Sequence, residues 1–146
     1  KLFGWFGGYG LNATGEFFAH LGFRPGNVFA AAASLAEITG GLLVALGFLG
    51  PVGPALVISV MIVAMVTVHW THGLFASNNG IEVPLLNIAV ALGFALTGYG
   101  QYSLDAWLGT ADAWSPAATG ITVAAGLAGG ITSLAIRRRP PTTAGA

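Results

Sequence analysis

Asn27 to Gly50 reads NVFAAAASLAEITGGLLVALGFLG, and between Val28 and Leu49 lie 22 residues with one formal charge, Glu37. At roughly 1.5 Å of rise per residue such a run makes about 33 Å of helix, the thickness of one hydrocarbon core. The rest of the chain must be arranged around that helix and the carboxyl group it carries to mid-membrane. A carboxylate facing lipid costs about 2.5–3.5 kcal/mol on insertion scales, so Glu37 is expected to face protein or a wet cavity. Its helical neighbours are Ala33, Gly40, Gly41 and Val44. Three of these four are small, which would let a second helix pack closely over the carboxyl. Two roles suit Glu37: a proton carrier, or a hydrogen-bonding group that holds the bundle together.

Only 7% of the residues are charged and 55% are hydrophobic. A water-soluble domain carries about 25% charged residues, so the class is an integral membrane protein embedded in the lipid bilayer. Formal net charge is zero, which offers nothing to nucleic acid. The chain has no cysteine, which excludes dithiol, disulfide and cysteine-ligated iron–sulfur chemistry by its own residues.

Breakers divide the chain into four predicted spans. The first is residues 28–49, and Gly50-Pro51-Val52-Gly53 is a tight turn. The second is 54–71, with Pro54 suited to the first helical position. The third is 83–97 and is short; the fourth is 116–136, with Gly126, Gly129 and Gly130 marking a close-packing face. Residues 1–27 do not span. KLFGWFGGYG sets four aromatics and Lys1 at a membrane boundary, and a short surface helix is expected over 13–21. Thr14 is its candidate cap, Glu16 falls in its first turn, and His20 reads as an interfacial residue. The fold expected is an all-α transmembrane helical bundle forming one domain over 1–139, followed by a disordered tail over 140–146. The Arg137-Arg138-Arg139 triplet places the C-terminus in the cytoplasm, and the 101–115 segment outside.

Two further groups carry chemistry. Ile62, Met65, His69 and His72 recur at helical spacing, so the two histidines are expected on one stripe at the end of the second span. Imidazole titrates near neutral pH and can bind a proton or a quinone carbonyl. Glu82 opens the third span, where a carboxylate also gains about 0.3–1 kcal/mol from the helix dipole. His69 and Glu82 thus form a candidate polar mouth, and His69, Trp70 and His72 a candidate quinone site. Tyr102, Asp105 and Trp107, in the interfacial segment that also holds Trp114, are candidates for docking a partner. No Glu-x-x-His pairs or facing histidines on two spans occur, so no metal or haem held by this chain is expected.

The run from Ala36 to Asp105 resembles the DoxX family of small bacterial membrane proteins. The features that carry it are Glu37 followed by Gly40-Gly41, Gly47 before the turn, Ala64, Glu82 opening a helix, and the ending Gly98-x-Gly100-x-Tyr102-Ser103-Leu104-Asp105. KLFGWFGG and FFAHLGFRPG are similar to actinobacterial-type members, so the likeness covers about residues 1–109. Family members usually have one more helix upstream, which leads us to expect a segment before Lys1. Their ending is usually nearer G-P-G-R-Y-S-L-D; here Tyr99 and Gln101 replace the Pro and the Arg. The resemblance implies a bacterial plasma-membrane subunit of an oxidoreductase complex linked to the quinone pool, with roles in thiosulfate oxidation and oxidative-stress defence. Without a redox centre of its own the chain would need other protein subunits. Two other readings stand beside it: a non-catalytic membrane scaffold for soluble redox or stress-defence proteins, and a small-solute transporter.

Overall fold

A computed structural model describes residues 8–138 of the chain. The aromatic cluster at Phe3, Trp5 and Phe6, the third arginine, Arg139, and the tail over 140–146 lie outside the described residues. Every regular element among the described residues is helical. The chain divides into two compact units, Lys1–Leu35 with Leu134–Ala146, and Ala36–Ser133.

In the first unit, α1 is Gly10–His20, starting earlier than its sequence suggests. Thr14 does not cap it: its hydroxyl donates to the Gly10 carbonyl one turn back, at 2.7 Å. Glu16 accordingly falls beyond the first turn. Phe18, Phe23 and Phe29 pack in series, with ring centroids 5.7 and 5.2 Å apart, and Phe23 is fully buried. His20 is exposed at the end of α1. Arg137 and Arg138 are held in this unit. Arg137 Nε donates to the Leu21 carbonyl, and the Arg138 amide donates to the Gly22 carbonyl at 2.9 Å.

Helix α2, Gly26–Leu46, continues from this unit into the second. It ends at Gly47, three residues before the apolar run does. Gly47 adopts φ +60°, and the Phe48 amide donates back to Leu43 at 2.9 Å, the left-handed ending that glycine makes cheap. Helix α3 is Val52–Ala64, with Pro51 at its cap and Pro54 inside its first turn, so the helix starts slightly ahead of the position expected from the sequence. A π-helical turn, Met65–His69, and a 3₁₀ turn, Trp70–His72, extend it. Helix α4 is Glu82–Thr97, α5 is Leu104–Leu108, and α6 is Pro116–Ala135.

Among the described residues three stretches are long and apolar enough to cross a bilayer: Gly26–Leu46, Val52–His72 and Pro116–Ala135. Helix α4 has 16 residues, rising about 24 Å, which is short of a roughly 30 Å core.

Glycines set the packing of α3. A methyl group at Gly40 would lie 3.1 Å from Leu56 Cβ, and one at Gly53 would lie 2.8 Å from Leu43 Cβ, so α2 and α3 cross backbone to backbone. On the other side, a methyl at Gly126 would sit 2.5 Å from the Ala55 carbonyl oxygen, and one at Gly130 would sit 2.9 Å from that of Ser59. The G-x-x-x-G pair therefore seats α6 on α3 within this chain. Gly41 faces open space instead, so only Gly40 of that pair brings a helix close.

Candidate functional site

The second unit presents polar groups at its two ends. At one end, His69 closes the π turn and is half-buried. A π turn inserts about one residue into the helical phase, so the α-helical stripe through Ile62, Met65, His69 and His72 does not run through unbroken. His69 Nδ1–H donates to the Asn79 carbonyl at 2.7 Å. Because a carbonyl only accepts, this bond assigns the proton to Nδ1 and leaves Nε2 as the acceptor of the neutral ring. His72 is exposed, and its Nδ1–H donates to the Val68 carbonyl at 2.9 Å. Glu82 Oε2 accepts from the Ala76 amide at 2.7 Å. His69 and Glu82 therefore hold the same loop, one from each side. That loop is ordered further by Asn79 in the left-handed region and by the Ile81 amide donating to Gly73 at 3.0 Å. Trp70 is 63% exposed beside them. His69 and Glu82, expected to form a polar mouth, are thus linked through the backbone of this loop. Glu37 is half-buried on α2. Among the described residues no three His, Asp or Glu side chains converge on a metal position.

The opposite end holds what the sequence did not reveal. Asp105 is 3% exposed. Its carboxylate accepts the amides of Leu49 at 3.1 Å and Gly50 at 2.7 Å, and the Thr110 hydroxyl at 2.9 Å. Its own amide donates to the Gly47 carbonyl at 3.0 Å. Leu49 and Gly50 have φ of +57° and +47°, which turns both N–H groups toward one anion. Asp105, expected as a docking residue, has its carboxylate enclosed by the α2–α3 turn that it holds. The other two docking candidates are on the surface, Tyr102 at 95% exposed and Trp107 at 80%.

Beside this turn lies a cavity of about 500 Å³. Phe94, Tyr99, Gln101, Trp114, Thr119 and Gly120 contribute to its wall. The rings of Phe94 and Tyr99 stack with centroids 5.3 Å apart. Trp114 lies against Gly50, where a methyl group would come within 2.5 Å of the indole. The Tyr99 hydroxyl is buried and has no hydrogen-bond partner among the described residues. Its pKa is raised to about 12, first by burial and second by the charge of Asp105. The only sequence signal for this site was the Gly98-x-Gly100 break. The approach of Trp114 and Thr119 is a tertiary event.

Residues 1–70 match the family model described as DoxX. The likeness to the DoxX family is shown over these residues. No curated protein and no solved structure matches it. The DoxX segment covers α1, α2, α3 and the π turn, and it closes on Trp70 just past His69. Glu82, Asp105 and the cavity wall apart from Gly50 and Pro51 lie beyond the matched residues.

Proposed function

We propose that this DoxX-family chain is a small subunit of a membrane redox complex linked to the quinone pool, where it assists quinone binding or proton relay. Its place would be the bacterial plasma membrane, with the C-terminus cytoplasmic. The observation that carries the reading is the His69 geometry. A half-buried imidazole at the end of an apolar 21-residue stretch is held by the Asn79 carbonyl at 2.7 Å. Its Nε2 is then the atom that takes up a proton or, once protonated, donates to a quinone oxygen. Trp70 and His72 flank it, Glu82 orders the loop it rests on, and Glu37 supplies a second protonatable group within the membrane span. Electron carriers belong to the partner subunits in this scheme.

The test is purification of the native assembly in mild detergent, with assay of a decylquinone in wild type and in His69→Ala. Co-purification with redox chains and a loss of roughly 100-fold or more in His69→Ala, the usual scale for a positioned acid–base group, supports the proposal. A chain found only as a free monomer that still turns over quinone alone refutes it. A second reading, a non-catalytic anchor, draws on the exposure of Tyr102 and Trp107. Stable partners without any quinone turnover would favour it.

A further inference from the structure

The cavity beside the α2–α3 turn sits where three apolar helices begin or end: α4 stops at Thr97, α3 starts at Val52, and α6 starts at Pro116. Its volume of about 500 Å³ is in the range of small-molecule sites. The polar groups in its wall fall into two sets. Asp105 is occupied by the turn, Ser103 donates to the Gly100 carbonyl at 2.7 Å, and Thr97 donates to Gly93 at 2.9 Å. The Tyr99 hydroxyl has no partner among the described residues. Gln101 and Thr119 also line the cavity, and their side chains make none of the bonds that tie this end together.

The charge balance then selects the ligand. Among the described residues no Lys, Arg or His contributes to the cavity wall, and one carboxylate does. An anion is therefore disfavoured. The buried phenol keeps its proton up to about pH 12, so it acts as a donor in any ordinary condition. The remaining wall is mostly apolar or aromatic, with the Phe94–Tyr99 stack and Trp114 offering ring faces.

We propose that this cavity binds a neutral, lipid-soluble molecule bearing carbonyl oxygens, which enters from the bilayer and takes hydrogen bonds from Tyr99, Thr119 and Gln101. The chemistry is shared by a quinone head group and by the ester end of a neutral glyceride. The site is distinct from the His69 mouth, which lies at the far end of α3, and it does not depend on a redox role.

The test uses the full chain in lipid nanodiscs and a decylbenzoquinone carrying a photoreactive azide, with labelled residues located by mass spectrometry. Unlabelled decylbenzoquinone and dioctanoylglycerol compete in separate arms. The expected label falls within residues 94–101 and 114–120. Tyr99→Phe and Thr119→Val each keep side-chain shape and weaken labelling about fivefold, the effect of one lost hydrogen bond. Gly120 lines the cavity, and a methyl group there meets nothing within 4 Å. Gly120→Leu therefore starts from open space at its Cβ and adds bulk to the site, and labelling disappears. Displacement by either competitor supports the proposal and names the source. Label confined to residues 65–82, displacement by neither competitor, or unchanged labelling in all three variants overturns it.

Discussion

Replacing Asp105 with Ala removes one acceptor shared by the Leu49 amide, the Gly50 amide and the Thr110 hydroxyl. A buried donor left without a partner costs about 1–3 kcal/mol. The three donors are only partly buried, so water recovers some of that, and the low end of the range applies to each. The expected destabilisation is about 3–5 kcal/mol, a large share of a typical roughly 5–15 kcal/mol of total stability. Leu49 adds to it: the left-handed conformation at φ +57° costs an ordinary side chain roughly 1–2 kcal/mol and is held in place by this bond. Placing Leu49→Gly in the Asp105→Ala background should therefore recover about 1 kcal/mol. The assay is denaturant unfolding in detergent, followed by Trp114 emission in a variant whose other tryptophans are Phe, since that indole lies against Gly50. Asp105→Asn, which keeps one acceptor oxygen, should fall between wild type and Ala. If Asp105→Ala unfolds within about 0.5 kcal/mol of wild type, the scale of an ordinary surface substitution, the carboxylate does not hold the turn.

Four other outcomes are expected. Gly126→Leu, aimed at the Ala55 backbone, should abolish the folded monodisperse state by size exclusion, whereas Gly129→Ala, in ordinary contact at 3.4 Å from the Ser59 hydroxyl, should leave it intact. Trp107→Ala should change stability by less than about 0.5 kcal/mol, because the indole is 80% exposed; a larger loss in unfolding would mean that it is packed. The Tyr99 phenol, raised to about 12, should ionise last of the tyrosines in an ultraviolet phenolate titration, and the late step should vanish in Tyr99→Phe. The sign follows from linkage: the unfolded phenol loses its proton near pH 10 while the native one keeps it, so this group's contribution is complete below pH 10 and is lost as pH rises through about 12.

The apolar spans and their breakers were legible from the residues because hydrocarbon imposes a length and forbids exposed charge. That physics is local, and it predicted the helices over 26–46, 52–72 and 116–135 to within a few residues. The ends shifted where a local exception won: Gly47 stops α2 early, and Pro51 starts α3 early. The Gly126–Gly130 pair was visible as a pattern, but its partner, α3 at Ala55 and Ser59, was not. Periodicity also put His69 and His72 on one stripe, and the π turn over Met65–His69 displaced that phase. Asp105 reads as a surface acid in a polar interfacial segment, yet it is 3% exposed. Nothing near it in the chain reveals that two amides 55 and 56 residues away turn toward it. The sequence by itself determined that this chain lives in a membrane as helices and which charges it carries there. Tertiary structure alone decided which of those charges is enclosed and which hydroxyl is left without a partner. The reason is that burial and hydrogen-bond pairing belong to groups brought together across the fold, while helix formation and membrane partition are set by runs of neighbours.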